Sequence, residues 1–444
     1  MGLVKSEGGT GALVRGLRLG KLGLGLTGSY LGYQVQNLFL GEEKRAERGK
    51  SMRRAASRRI RGELGELKGP MMKFGQILSM QTHLLPRETI EELATLQTRA
   101  PAMHPSLARA RFKSSCGKYP EELFAEFDAE PFAAASLGQV HRAITRTGEK
   151  VAVKIQYPAI RAAIENDFKL LRSATFPVRL TGHVPVEILN EVQRGFLEET
   201  DYLHEAKSMD YFRERLACLP YVTVPKVHWD LTTDRVLTMS FVSGEPAGEF
   251  LLRNPSSAVR DQIGERLFEL FEYQIQCLQA IHADPHPGNY LLRMDGTFGL
   301  IDFGCVKRCS MDLGELTRCA VDRSWQYDSA QAERLVFLVW CGKVSAKDPR
   351  TRRMLAYLKD FIDLVFPPSP KAAAEVDFGN PALLHSVTGK LSQAVGNKLT
   401  NPELAFVSRA ELGLYNLLHQ LGARVRTREI LDRCVDRARG LQAG

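Results

Sequence analysis

The residues best suited to chemistry in this sequence are two aspartates and an asparagine at defined spacing. Asp284 follows His282 and stands five positions before Asn289, while Asp302, which begins an Asp-Phe-Gly triplet, lies thirteen positions after Asn289. Carboxylate and amide oxygens bind Mg²⁺, and a carboxylate can also accept the proton of an attacking hydroxyl. The pattern H-x-D-x-x-x-x-N with a later D-F-G is that of the catalytic loop and metal-binding turn of protein kinases. We predict that Asp284 is the catalytic base and that Asn289 and Asp302 hold the metal ion.

A lysine upstream extends this set. Lys154 ends the stretch Val-Ala-Val-Lys in the second of two alternating, β-branched segments, 138–145 and 150–156, which predict a hairpin around Thr147 and Gly148. Kinases place a lysine here to bind the α- and β-phosphates of ATP. The tetrapeptide alone is weak evidence, but its order with the catalytic loop and the D-F-G triplet favours phosphoryl transfer from ATP with Mg²⁺.

An alanine-rich segment precedes the hairpin, where kinases carry a glycine-rich phosphate loop. This segment consists of Ala133, Ala134, Ala135 and Ser136. Glycines let backbone N–H groups approach phosphates, whereas alanines restrict φ and add methyl groups. We therefore expect this segment to hold the nucleotide in a different way. Phe241 and Val242, after a later strand-like run, are the predicted contacts for adenine.

The segments around these residues predict an α+β protein with the bilobal protein-kinase-like fold. A helical stretch at about 186–216 is followed by strand-like runs at 221–228 and 234–242. From residue 255 onward, helical periodicity dominates. This outline is a small β-rich N-lobe and a helical C-lobe, with a helical N-terminal extension before them. The predicted boundaries are 1–41 for a glycine-rich basic segment, 42–130 for the helical extension, 131–245 for the N-lobe and 246–444 for the C-lobe.

A second Asp-Phe-Gly triplet, which begins at Asp377, tests the assignment of the first. It follows a proline-rich break at 367–370, and neither a strand-like run nor a catalytic loop precedes it. We predict that it lies in a loop and has no part in metal binding.

The basic character of the chain is concentrated at its N-terminus. The formal net charge is +9, and the first 63 residues, with 13 basic and five acidic side chains, contribute +8 of it. A nucleic-acid-binding surface would spread this excess over the folded body, so nucleic acid is not an expected partner. Residues 22–41 carry no charge, contain closely spaced glycines and lie between basic clusters, which suits contact with anionic lipid. A transmembrane helix, a surface-lying or dimerising anchor, and an arm packed on the body all remain open.

Four segments together resemble the UbiB/AarF family of atypical kinases, which is tied to ubiquinone biosynthesis. The segment Lys73–Gln76 matches the family's KxGQ motif, and Glu199–Asp201 matches its ExD motif. The segment His282–Asn289, HADPHPGN, matches its catalytic loop, and the alanine-rich segment 133–136 also fits. The likeness covers roughly residues 60–430.

The resemblance implies roles for individual residues. Glu205 corresponds to the helix glutamate that pairs with Lys154. Glu199 and Asp201 correspond to the acidic pair that engages Lys73, which would hold the KxGQ extension across the active site where a protein substrate would otherwise dock. On a regular helix Asp201 and Glu205 share a face, whereas Glu199 lies about 200° away, so the three carboxylates should not all address one lysine.

Two departures from ordinary protein kinases argue against a protein substrate. Ala283 replaces the catalytic-loop arginine that would bind an activation-loop phosphate, and no A-P-E signature follows Asp302. We therefore expect no control by phosphorylation of that loop.

The expected function is that of an atypical kinase or ATPase that binds ATP and Mg²⁺ at a membrane surface and supports ubiquinone (isoprenoid-quinone) biosynthesis or related lipid metabolism. The expected partners are anionic membrane lipids, quinone-biosynthesis proteins and a second copy of the chain bound through the glycine-rich segment. The expected location is the membrane in a bacterial cytoplasm or the equivalent organellar compartment. One alternative is a nucleotide-gated, non-catalytic scaffold or lipid chaperone for quinone-biosynthesis enzymes. Another is a soluble small-molecule kinase of the antibiotic-phosphotransferase type, which would have no use for KxGQ or a basic arm.

Overall fold

The computed structural model describes residues 102–135, 137–166, 168–169, 186–310, 312–340, 345, 348–368, 374–387 and 403–443, together with Arg58. These residues fall into two compact units. The N-terminal unit contains the described residues up to Leu203 and the segment His228–Thr238. The C-terminal unit contains His204–Val227 and the described residues from Met239 onward. The predicted glycine-rich segment 1–41, most of the predicted extension, Lys73, Gln76 and Ser136 lie outside the described residues.

The chain contains runs of helices and runs of short strands. The named helices are α1 (Pro105–Cys116), α2 (Pro120–Leu123), α3 (Val186–Glu198), α4 (Tyr202–Arg215), α5 (Ala247–Leu252), α6 (Ser257–Tyr273), α7 (Leu313–Asp322), α8 (Ser329–Trp340), α9 (Pro349–Val365), α10 (Glu403–Leu421) and α11 (Thr427–Ala443). The strands are β1 (Phe124–Phe127), β2 (Ala133–Ala135), β3 (Gly138–Thr145), β4 (Lys150–Gln156), β5 (Val222–Thr223), β6 (Val236–Ser240), β7 (Ala280–His282), β8 (Tyr290–Leu292), β9 (Phe298–Leu300), β10 (Val306–Arg308), β11 (Val376–Asp377) and β12 (Arg424–Val425).

A five-stranded sheet in the order β1-β3-β4-β6, with β2 also paired to β3, forms the centre of the N-terminal unit. The predicted hairpin is present, since β3 and β4 pair antiparallel along their whole length. Gly148 turns the chain between them with a φ of 84°, which a glycine adopts without steric cost. Val151, Val153 and Ile155 on one face of β4 are fully buried in the core, and the residues between them on the other face are also buried.

The sheet begins earlier than the sequence predicted. Residues 124–127, placed in the helical extension, form strand β1, which pairs with the end of β3. The ring centroids of Phe124 and Phe127 lie 5.9 and 6.2 Å from that of Phe112 on α1. This aromatic cluster covers the sheet, and such packing overrides the weak local preference of a four-residue segment.

The predicted helix at 186–216 is two helices. The chain turns at Glu199 and Thr200 between α3 and α4, and Asp201 precedes the first residue of α4. The Asp201 carboxylate accepts a hydrogen bond from the Leu203 N–H at 3.1 Å, as a residue before a helix commonly does. Glu199, Asp201 and Glu205 are therefore not on one regular helix, and the angular argument made from the sequence does not apply.

The C-terminal unit is built around α6, which packs against α10 and α11. Its N-terminus is capped by Ser256, whose hydroxyl accepts a hydrogen bond from the Val259 N–H. At its other end the helix widens into a π-helical turn, Gln274–Leu278, which stops at Gln279 in the left-handed region (φ 50°). Such turns are rare and frequent near functional sites. Here the turn leads directly into β7 and the catalytic loop.

The second Asp-Phe-Gly triplet begins on a short strand rather than in a loop. Asp377 is the last residue of β11, which pairs with β12. Phe378 is buried and stacks on Tyr415, at 5.4 Å between ring centroids. The triplet therefore has a packing role in the C-terminal unit.

None of the helices that the structure describes is both long and apolar enough to cross a lipid bilayer. The predicted membrane segment, residues 22–41, lies outside the described part of the chain.

Two carboxyl groups interact in the C-terminal unit, one of them buried and the other half-buried. Glu272, near the end of α6, is 2% exposed, and Glu411 lies on α10. Burial and the nearby Glu411 charge raise the pKa of Glu272 to about 8. Burial raises the pKa of Glu411 to about 7, although the Tyr415 hydroxyl donates a hydrogen bond to its carboxylate at 2.5 Å.

This pair makes stability depend on pH. Because the folded-state pKa of Glu272 lies above the unfolded value of 4.5, its contribution to stability is greatest below pH 4.5 and falls as the pH rises towards 8. We expect Glu272→Gln, which is neutral at every pH, to unfold a few degrees higher than the wild type at pH 8.5 and at nearly the same temperature at pH 5. Thermal unfolding of both proteins at both pH values measures this, with the exposed Glu333→Gln as the control. A difference that does not grow with pH would contradict the assignment.

Candidate active site

Hydrogen bonds hold the beginning of the predicted catalytic loop. Strand β7 pairs antiparallel with β10, and the His282 N–H donates to the Gln274 side-chain oxygen at 2.7 Å. The His282 ring bonds the backbone carbonyl of Asp302 through Nε2 at 2.6 Å. Ala283 is fully buried and its N–H donates to the Cys305 carbonyl, so an arginine has no room at this position. The loop and the Asp-Phe-Gly turn are thus fixed to each other by the histidine.

Asp284 and Asn289 lie in direct contact. The Asn289 amide nitrogen donates to the Asp284 carboxylate oxygen Oδ2 at 2.9 Å and to its backbone carbonyl at 3.3 Å. The short 3₁₀ turn Pro287–Asn289, capped by the His286 ring, brings the asparagine back to the aspartate. Because the Asn289 nitrogen faces Asp284, its side-chain oxygen is turned away and can act as an acceptor for a cation.

An arginine from α10 also contacts Asp284. The Arg409 guanidinium Nη2 lies 3.3 Å from Asp284 Oδ1, with side chains 12% and 21% exposed respectively. Asp284 is therefore held on one oxygen by Arg409 and on the other by Asn289. One turn further along α10, a Cβ added at Gly413 would lie 1.8 Å from the Pro285 Cβ. Only a glycine allows α10 to approach the loop so closely.

The first Asp-Phe-Gly turn carries a strained backbone. Asp302 has a φ of 70°, in the left-handed region that only a few per cent of non-glycine residues adopt. Its carboxylate accepts a hydrogen bond from the Gly304 N–H at 3.2 Å. Phe303 is fully buried, with its ring centroid 5.4 Å from that of Phe212 on α4 and 5.4 Å from the His282 ring. These aromatic contacts hold the turn against its strain.

The donor set of this region fits Mg²⁺. Asp302 supplies a carboxylate and Asn289 an amide oxygen, which are hard ligands of the kind that Mg²⁺ prefers. Among the described residues no cluster of three or more histidine, cysteine or acidic side chains could hold a metal ion by itself. Mg²⁺ at phosphate-transfer sites needs only one or two protein ligands beside the phosphates, so the pair is sufficient.

Lys154 and the alanine-rich segment lie on two strands of the N-terminal unit that both pair with β3. Residues 133–135 form β2, and Ala133 and Lys154 are both register partners of Val140 on β3. The Lys154 side chain is buried, and its Nζ lies 5.1 Å from the ring centroid of Tyr202, the first residue of α4. The predicted alanine loop is therefore a strand of the same hairpin system that carries the lysine.

The remaining predicted site residues that the structure describes are Glu205, Phe241 and Val242. Glu205 is buried one turn into α4, while Phe241 and Val242 follow the last residue of β6. Val242 faces β9, where a Cβ added at Gly299 would lie 2.3 Å from its side chain. The pairing of Glu205 with Lys154 and the adenine contacts stay predictions.

The sequence analysis missed Arg409 and Gly413. Both lie more than 120 residues after Asp284, outside any motif that local spacing can reveal. The sequence did contain one signal for them, a glycine four residues after an arginine within a long helical segment. Residues four apart share one helix face, and a glycine inside a helix weakens it, so its presence indicates a close contact on that face.

We expect Arg409→Gln to lower turnover about 10- to 100-fold with little change in the KM for ATP, because Arg409 positions Asp284. Arg409→Lys should retain part of the activity. Steady-state ATPase assays that separate kcat from KM measure this. The control is Arg323→Gln, which breaks a comparably buried ion pair to Asp363 and should cost stability but not turnover. A raised KM with unchanged kcat would show that Arg409 acts on nucleotide binding instead.

Comparisons with known proteins show which family the chain resembles. A sequence profile described as the ABC1 atypical kinase-like domain matches residues 95–333. The chloroplastic protein ACTIVITY OF BC1 COMPLEX KINASE 7 of Arabidopsis thaliana is 34% identical over 264 residues, which cover 59% of this chain and 38% of that protein. The probable protein kinase UbiB of Azotobacter vinelandii is 33% identical over 260 residues, 56% of this chain and 48% of that protein. The chain thus spans less than half the length of these two relatives.

A solved structure also resembles the chain. It is that of the complex of Rv3197 with erythromycin from Mycobacterium tuberculosis, at 27% sequence identity and a TM-score of 0.58. The match covers 84% of this chain and 93% of that chain.

Proposed function

We propose that this chain, which belongs to the ABC1 atypical kinase-like family with the UbiB proteins, is an ATP- and Mg²⁺-dependent kinase or ATPase. Family membership and the kinase-like fold were predicted from the sequence, and the profile match and the solved relative confirm both. The observation that carries the proposed activity is the contact of Asp284 with Asn289, beside a strained turn that presents Asp302.

The proposed mechanism assigns one task to each residue. Asp302 and Asn289 would hold Mg²⁺, which supplies charge neutralisation at the β- and γ-phosphates. Lys154 would bind the α- and β-phosphates, with Glu205 fixing its position. Asp284, held by Arg409 and Asn289, would orient the attacking hydroxyl or water and take its proton.

We further propose that the chain acts at a membrane surface in isoprenoid-quinone biosynthesis or related lipid metabolism. Support comes from the relatives named as UbiB and chloroplastic proteins and from the basic, glycine-rich N-terminus. The proposed partners are anionic lipids, quinone-biosynthesis proteins and a second copy of the chain. Nucleic acid is not among them, because the folded body is nearly neutral.

The membrane proposal is tested by co-sedimentation of the full-length chain with cardiolipin-containing vesicles, followed by an ATPase assay. Replacing Arg15, Arg18 and Lys21 by glutamine should weaken vesicle binding at least several-fold. The control replaces three arginines that are exposed on the folded body, Arg161, Arg433 and Arg439, by glutamine. This control removes the same number of positive charges as the test variant. Equal loss in both triple variants would indicate that only net charge matters.

A nucleotide-gated scaffold is the alternative to catalysis. Asp284→Asn separates the two, because it removes the base but keeps an oxygen and a nitrogen near Arg409 and Asn289. A catalyst loses vesicle-stimulated ATPase turnover in this variant, whereas a scaffold retains its partner binding and shows no turnover in either form.

The erythromycin complex of the solved relative makes macrolide binding a second candidate function. Calorimetry of the full-length chain with erythromycin, with and without Mg²⁺ and ATP, tests it. No heat of binding under either condition would exclude this function for the chain.

A further inference from the structure

A cavity of about 110 Å³ lies among helices α6, α7, α8, α9 and α10 of the C-terminal unit. Its wall is mostly apolar, with side chains such as Phe271, Leu316, Phe361, Ile362 and Val407. An apolar cavity of ~150 Å³ accommodates benzene, so this one suits a molecule with about one small ring or a short alkyl chain. Nothing in the proposed phosphoryl transfer uses this space.

The polar part of the wall consists of two carboxyl groups and the hydroxyl groups of Thr317 and Ser408. The carboxyl groups of Glu272 and Glu411 both line the cavity. The Thr317 hydroxyl also lines it, but its proton is donated to the Leu313 carbonyl at 3.0 Å. The Tyr415 hydroxyl holds Glu411 in place from its other side. The Gln276 amide donates a long hydrogen bond to one Glu272 oxygen at 3.5 Å. In their ionised form the two carboxylates are acceptors only, so a ligand that donates hydrogen bonds suits that form.

The charge of the ligand determines which hydrogen-bond donor suits the two carboxyl groups best. Two carboxyl groups in an apolar cavity disfavour each other's ionisation, and burial raises the pKa of both. A neutral alcohol leaves that penalty in place, whereas an ammonium group compensates the charge and allows the pair to ionise.

We propose that this cavity binds a small apolar molecule that carries one ammonium group, which pairs with Glu272 and Glu411. The site is also placed to influence the catalytic loop. Arg409 and Gly413, four residues apart, share the face of α10 that contacts the loop. Glu411 lies about 200° from Arg409 around the same helix, on the face that lines the cavity.

The test compares benzylamine with benzyl alcohol, which has nearly the same shape and no charge, on the full-length chain by calorimetry at pH 7. Benzylamine should bind at least about tenfold more tightly than benzyl alcohol, and its binding should release about one proton, seen as a heat that depends on the buffer. Glu411→Gln should weaken benzylamine binding about tenfold and change benzyl alcohol binding less than about twofold.

Two further variants keep the test decisive. Glu272→Gln replaces Glu411→Gln in the test if the latter does not fold. Ala320→Leu places a larger side chain in the cavity and should abolish binding of both probes. The exposed Glu333→Gln is the matched control and should bind as the wild type does. Equal binding of the two probes, no binding of either, or benzylamine binding unchanged in both carboxyl variants would overturn the proposal. Asp302→Asn, which should lose the proposed kinase function, should still bind benzylamine. The binding measurement therefore tests the cavity separately from the kinase function.

Discussion

Asp302→Asn is expected to abolish the stabilisation of the protein by ATP with Mg²⁺ and to lower turnover by about three orders of magnitude. The reason is that the exchange removes a negative charge from the proposed metal site. The asparagine oxygen can still accept the Gly304 N–H, so the left-handed turn should keep its conformation. Thermal unfolding with ATP, in Mg²⁺ and in EDTA, measures the loss directly.

The chain contains its own matched control for this experiment. Asp377 begins the second Asp-Phe-Gly triplet, and its carboxylate accepts the Gly379 N–H at 2.9 Å, much as Asp302 accepts that of Gly304. Asp377→Asn should leave both the nucleotide-dependent shift and the turnover unchanged. A Mg²⁺-dependent shift that survives in Asp302→Asn, or disappears equally in Asp377→Asn, would refute the metal assignment.

The parts of the site that could be predicted from the sequence are those encoded by local spacing. Asp284 and Asn289 meet because five positions, with two prolines and a glycine between them, form one short turn. The β3–β4 hairpin is local in the same sense. Gly148 allows the turn, and the alternation of side chains along each strand determines which of them share a face of the sheet. Periodicity and turn chemistry suffice where the partners are near each other in the chain.

The parts that could not be predicted depend on packing between distant segments. Arg409 reaches Asp284 across 125 positions, and Gly413 matters only because Pro285 lies against it. The break between α3 and α4 has no proline or glycine to mark it, and Asp201 reveals its capping role only in the folded chain. Likewise, three alanines form a strand because β3 offers a hydrogen-bonding edge, although alanine favours helices.

Gly413→Ala should lower turnover about 10- to 100-fold. In an exposed helix, replacing glycine by alanine stabilises by about 1 kcal/mol. Here the added methyl group would lie 1.8 Å from the Pro285 Cβ and 3.1 Å from its Cα, so either α10 or the catalytic loop must move. Such overpacking costs about 1–3 kcal/mol, which exceeds the gain in helix propensity. Because Pro285 adjoins Asp284, we expect the displacement to misplace the base by a fraction of an ångström or more, and small misplacements are costly to catalysis.

Two other glycines separate this effect from general destabilisation. Gly440 on α11 has open space around its Cβ position, so Gly440→Ala should be neutral or stabilising and fully active. Gly264 on α6 is crowded, with the Ala423 Cβ 2.6 Å from the added atom, but the three nearest atoms belong to Ala423, Leu418 and Val425, which are outside the catalytic loop. Gly264→Ala should therefore lower the unfolding temperature while each folded molecule keeps its turnover. If Gly413→Ala behaved like Gly264→Ala, with lost stability but normal turnover per folded molecule, then α10 would support the fold of this unit without positioning Asp284.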